Sequence, residues 1–78
     1  MTLHDRLEDV FRQVLDDDDI ELQDQTTAAD VEGWDSLAHI TLMFTIENEF
    51  GVQFNAEEFG LIENVGELKR SLELRGVA

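Results

Sequence analysis

Between Asp35 and Phe50 the apolar residues fall into two groups at 100° per residue, and a helix patterned this way must either sit between two parts of a core or leave one stripe in water. Leu42, Met43, Ile46 and Phe50 form one stripe. Leu37, Ile40 and Phe44 form the second, roughly 90 to 180° round the helix from the middle of the first, with Ser36 between them at the head of the helix. A chain of 78 residues buries only about 60 to 65% of its unfolded surface, so its core is small. Whether the second stripe is a further core contact or an exposed docking strip therefore bears on function.

Upstream, Leu3, Leu7, Val10, Phe11, Val14 and Leu15 recur at spacings of three and four, which predicts a helix over residues 3–15 with Thr2 as its N-cap. Glu8 with Arg12 and Asp9 with Arg12 are favourable i,i+4 and i,i+3 pairs and read as an ordinary solvated face. The run Asp16-Asp17-Asp18-Asp19 crowds like charges at the negative end of the helix dipole and stops the helix. No long periodic segment follows until Asp35. A connection of about twenty residues is unusual in a small domain unless it is pinned. Ile20, Leu22 and Val31 are available as pins, and Thr26 to Asp30 suits a single turn.

After Gly51, a suitable helix stop, Val52 and Phe54 alternate briefly, as do Ile20 and Leu22, so a tiny, marginal two-stranded ribbon is conceivable. A short helix at 56–60 has more support, because Asn55 and Glu58 suit a capping box while Phe54 and Phe59 suit a hydrophobic staple across its start. Asn64 with Glu67 suits a second capping box. It opens a last helix that buries Val65, Leu68 and Leu72, carries Lys69, Arg70 and Arg75 toward its C-terminal end and stops at Gly76. The expected organisation is one all-α domain over residues 1–78: long helix, long loop, long helix, short helix, helix.

Five Lys and Arg against 19 Asp and Glu give a net charge of -14. That balance argues against nucleic acid and anionic membranes, since phosphate binding requires clustered Lys and Arg, and makes basic surfaces the expected partners. It also makes folding sensitive to salt through self-repulsion. With no cysteine the chain has no disulfide framework, Cys-based zinc site or catalytic thiol of its own. No apolar run approaches the roughly 20 residues of a membrane span, and MTLHDRLEDV is too polar for a signal peptide, so the cytoplasm is the expected location.

Three chemistries suggest themselves. Ser36 and His39 share a helical face, as a hydrolase would need, but a small core does not readily supply an oxyanion hole and a substrate pocket. His39 more simply flanks the core stripe. The acidic run lacks the turn glycine and terminal glutamate of an EF-hand loop, so diffuse cation screening is expected rather than a metal site. Glu57 and Glu58 sit where acids complement a helix start. Ser36 has a different opportunity: it follows Gly33-Trp34-Asp35 at the start of a helix, so a phosphate on its hydroxyl would lie beside free amides and the positive end of the dipole. The simpler alternative is that Asp35 or Ser36 is only an N-cap.

Gly33-Trp34-Asp35-Ser36-Leu37 resembles the GxDSL attachment motif of acyl carrier proteins and peptidyl carrier domains. The likeness runs along almost the whole chain, including Glu47-Asn48-Glu49-Phe50-Gly51 at the end of the second helix and the entry Asn64-Val65 into the last. It implies a four-helix acyl-carrier-like bundle with a long loop between helices one and two and a short third helix. It implies that Ser36 receives 4′-phosphopantetheine from coenzyme A through a phosphopantetheinyl transferase. The chain would then be a monomeric carrier and not an enzyme, holding acyl or aminoacyl groups as thioesters for fatty acid, polyketide or other specialised biosynthesis. Leu37, Ile40 and Phe44 resemble the exposed recognition strip of such carriers. Asp35, Glu47, Glu32 and Glu57 or Glu58 would be acidic contacts for the basic docking surfaces of loading and transferring enzymes.

Two departures stand out. Fatty-acid-synthase carriers usually place acids just after the serine and one turn later, where this chain has Ala38 and Thr41. Trp34 before the Asp-Ser pair looks more like stand-alone carriers of specialised pathways. Two other classes compete with a carrier: an acidic helical interaction module without a prosthetic group, and a small cation-binding protein.

Overall fold

The computed structural model describes residues 2–77, apart from the side chains of Ala56 and Phe59. Helix α1 spans Leu3–Leu15, a 3-10 turn spans Ala28–Asp30, and α2, α3 and α4 span Ser36–Phe50, Ala56–Leu61 and Val65–Glu73. The chain is thus all-helical, with no strand among the described residues. The four-helix count holds only when the six-residue α3 is taken with the three longer helices.

Helix α1 keeps the limits that its spacing predicts. Thr2 Oγ1 accepts the Asp5 amide and Asp5 Oδ2 accepts the Thr2 amide, closing a capping box. Leu3, Leu7, Val10 and Phe11 are buried. The helix ends where Asp16 takes a left-handed conformation, φ 52°, and donates its amide to the Arg12 carbonyl. Against this face packs the first stripe of α2, with Leu42, Met43 and Ile46 buried and Phe50 half-buried under the Arg6 guanidinium. Leu68, Leu72 and Val65 of α4 complete the core.

The long loop is pinned by Ile20 and Leu22, both buried, and Val31 packs against the core. Its polar attachments were not legible. Glu8 Oε2 accepts the Leu22 amide at 2.9 Å and Arg12 Nε donates to the Ile20 carbonyl at 2.9 Å, so the expected Glu8–Arg12 and Asp9–Arg12 pairs form, at 3.8 and 3.9 Å, but Glu8 and Arg12 also tie α1 to the loop. Farther along, the amides of Val65 and Gly66 donate to the carbonyls of Thr26 and Asp24 at 3.0 and 2.7 Å, and Lys69 pairs with Asp24.

The conceivable ribbon does not form. The Leu22 amide is taken by Glu8 and that of Phe54 by Glu47 Oε2 at 2.7 Å, so carboxylates satisfy the donors that a ladder would have used. Asn55 and Glu58 close their capping box. The staple partner Phe59 lies outside the described side chains. The second box is only half made: Asn64 Oδ1 accepts the Glu67 amide, but Glu67 Oε2 takes the amide of Glu63 rather than that of Asn64.

Candidate functional site

The turn into α2 is built on Gly33, whose φ of 89° is strained for any residue with a Cβ. Trp34 then enters the core, 6% exposed. Its ring meets Phe11 of α1 edge-on at 4.9 Å, and its Nε1–H donates to Nδ1 of His39 at 3.1 Å, the two rings stacked 16° apart in plane. A buried indole needs an acceptor, and His39, at the first full turn of α2, provides one. That requirement was the only sequence signal for the pair, because Trp34 lies outside any helical periodicity.

Asp35 is the N-cap. Its Oδ1 accepts the Ala38 amide at 2.8 Å and its carbonyl accepts the His39 amide at 2.8 Å. The amides of Ser36 and Leu37 then have no acceptor among the described residues, and they sit at the positive end of a 15-residue helix with no acid in its first turn. Ser36, at the first helical position, is exposed. An open cleft of about 550 Å³ adjoins it, lined by Trp34, Asp35, Ser36, His39 and Ile40, with Ala28 of the 3-10 turn, Gly60 of α3 and Ile62 just past the end of α3. A phosphate ester on Ser36 Oγ has donors, dipole and an adjoining apolar space. The residues therefore fit a phosphate-linked arm.

Among the described residues Ser36 and His39 do not form a nucleophile and base pair: with Nδ1 accepting the indole N–H, the neutral imidazole carries its proton on Nε2 and has no second acceptor nitrogen to offer a serine. No group of three or more potential metal ligands gathers among the described residues, and Asp17 of the acidic run accepts the Asp19 amide within its own turn.

The second stripe of α2 lies in solvent: Leu37 is 74% exposed, Ile40 44% and Phe44 57%. The acids divide into two sets. Glu32 and Glu57 are exposed. Asp35 caps α2, Glu47 holds the Phe54 amide, and Glu58 accepts hydrogen bonds from Arg75 and Ser71 of the α4 end. The Arg75 guanidinium, and after it the Asn55 amide, hold the Glu58 carboxyl below its ordinary value.

Residues 5–72 match a family model described as the phosphopantetheine attachment site. Among solved structures the chain is similar to the solution structure of a holo acyl carrier protein from Geobacter metallireducens, with 38% identity, a TM-score of 0.87 and coverage of 95% of this chain and 85% of that one. A search of curated proteins returned no match. With the family model spanning most of the chain and Ser36 exposed at a helix start that suits a phosphate ester, this chain belongs to the phosphopantetheine-attachment family as an acyl carrier protein, a carrier and not a catalyst.

Proposed function

We propose that Ser36 bears the 4′-phosphopantetheine arm and that the chain is a monomeric, single-domain carrier, a four-helix bundle with α3 as its short third helix. It shuttles acyl or aminoacyl intermediates between cytoplasmic enzymes of fatty acid, polyketide or other specialised acyl biosynthesis. The observation that carries this reading is the exposure of Ser36 at the capped, positive start of α2, within Gly33-Trp34-Asp35-Ser36-Leu37.

When bound, the arm supplies a thiol, which this cysteine-free chain otherwise lacks, and that thiol holds cargo as a thioester. The chain's own residues position and present. Asp35 fixes the first turn, Trp34 and His39 hold the turn against α1, and the amides of Ser36 and Leu37 favour the phosphate. Leu37, Ile40 and Phe44 form the apolar docking strip. Asp35, Glu47 and the exposed Glu32 and Glu57 add acidic contacts at its margins for partner enzymes with basic surfaces.

Ala38 and Thr41, in place of acids, favour a specialised pathway over ordinary fatty acid synthesis. The test is to load the Ser36-linked arm with a panel of acyl and aminoacyl groups and to treat each product with neutral hydroxylamine. Release of the cargo with retention of the arm is expected. Cargo that resists release, or remains on a chain carrying no arm, would contradict the assignment.

A further inference from the structure

Arg75, just beyond α4, commits its whole guanidinium group to its surroundings. Nε donates to the Gln53 carbonyl at 3.1 Å, Nη1 to the carbonyl and hydroxyl of Ser71 at 3.0 and 2.8 Å, and Nη2 to both carboxylate oxygens of Glu58. These acceptors match all five of its N–H donors. The guanidinium also lies over the Phe54 ring, 4.6 Å from its centroid. One side chain thus joins α4 to the segment leading into α3 and to the first turn of α3.

The mount is firm. Arg75 follows a helix whose Val65, Leu68 and Leu72 are buried, and its amide donates to the Leu72 carbonyl at 3.0 Å. Helix α3 has less to hold it, since six residues are too few for a helix to stand alone and none of its described side chains is buried. Past its other end, the Glu63 amide donates to Glu67 Oε2 of α4 at 3.0 Å. Between these two ties lie Gly60 and Ile62, which supply the α3 side of the cleft beside Ser36.

We propose, resting on the carrier reading above, that Arg75 is a positioning residue for this cleft: by clamping α3 to α4 it sets how far the cleft opens, and so how far cargo on the arm is exposed to water. Arg75 does this without touching the arm. Once the clamp is released, α3 swings about its tie near Glu63 and the cleft widens.

Trp34 is the only tryptophan and lines the cleft, so its fluorescence reports the opening with no arm attached. In folded Arg75→Gln, acrylamide quenching of Trp34 should rise about twofold or more, and the amides of residues 60 and 61 should exchange about tenfold faster. Arg75→Lys keeps the charge but replaces the fork with one ammonium; it should show the same rise in smaller measure, and it decides alone where Arg75→Gln fails to fold. Lys69→Gln removes a different ion pair of α4, with Asp24 of the long loop, and should leave both readouts at parent values. On the loaded chain, neutral hydroxylamine should cleave a hexanoyl thioester about twofold or more faster in Arg75→Gln than in the parent. Quenching and exchange that stay at parent values in the Arg75 variants, or rise equally in Lys69→Gln, would overturn the clamp and leave the carrier reading standing. A thioester cleaved no faster while quenching rises would overturn the link to cargo. Failure of Ser36 to take the arm would remove the carrier reading without altering the fluorescence result.

Discussion

The indole N–H of Trp34 donates to Nδ1 of His39 at 3.1 Å, which joins the residue two places before Ser36 to the residue three places after it. Since Trp34 also packs edge-on against Phe11, the turn that leads into Ser36 is fixed to α1. Trp34→Phe keeps an aromatic ring against Phe11 but removes the donor and some volume. A loss of about 1–3 kcal/mol is expected in chemical denaturation followed by circular dichroism. Unchanged stability would show that the indole bond contributes nothing to holding the turn.

Ile40 and Ile46 occupy the two stripes of one helix, the first exposed and the second fully buried. Ile40→Asp should shift stability by no more than about 0.5 kcal/mol while lowering partner turnover about tenfold or more. Ile46→Ala should cost about 2–5 kcal/mol through cavity formation. Thermal melts alongside arm-transfer kinetics separate the two effects. If Ile40→Asp unfolds the chain as readily as Ile46→Ala, the second stripe is structural.

Gly66 lies in the first turn of α4, where a Cβ would stand 3.0 Å from the Asp24 carbonyl oxygen and 3.2 Å from Asp24 Cβ. Alanine would gain roughly 1 kcal/mol of helix propensity. The loop opposite is held by the Gly66 and Val65 amides and by Lys69, so it cannot yield without loosening those bonds. Gly66→Ala should therefore be net destabilising, by about 1 kcal/mol, with faster amide exchange at residues 65 and 66. A higher melting temperature would mean that the loop gives way freely.

Arg75 holds Glu58 ionised below its ordinary range. A carboxylate with a lowered folded-state pKa contributes stability that is present above its unfolded value and lost as pH falls through the folded value. The gap in melting temperature between the parent chain and Glu58→Gln should thus hold through neutral pH and close only as pH falls below the ordinary carboxylate range. A gap that widens on acidification would contradict this sign.

Local regularities were the legible part of the fold. The three- and four-residue spacing from Leu3 to Leu15 and the caps at Thr2 and Asn55 each act within one or two turns, and α1 and the start of α3 appear where those signals lie. The division of α2 was equally readable, because opposite faces of a helix follow from angle alone. Bonds between distant segments were not. Nothing periodic tells Glu8 to accept the amide of Leu22 fourteen residues away, or directs Glu67 to Glu63 instead of Asn64. At the site, Ser36 stood out through its neighbours in the chain. The cleft beside it, which Ala28, Gly60 and Ile62 help to line, exists only once the 3-10 turn and α3 have come up to the start of α2.

Attachment at Ser36 is tested most directly by intact-mass analysis of the purified chain after incubation with coenzyme A and a broad-specificity phosphopantetheinyl transferase, beside Ser36→Ala. A single phosphopantetheinyl increment on the parent chain and none on Ser36→Ala is the expected result. An increment that persists in folded Ser36→Ala, or none on the folded parent chain with a transferase active on another carrier, would contradict it.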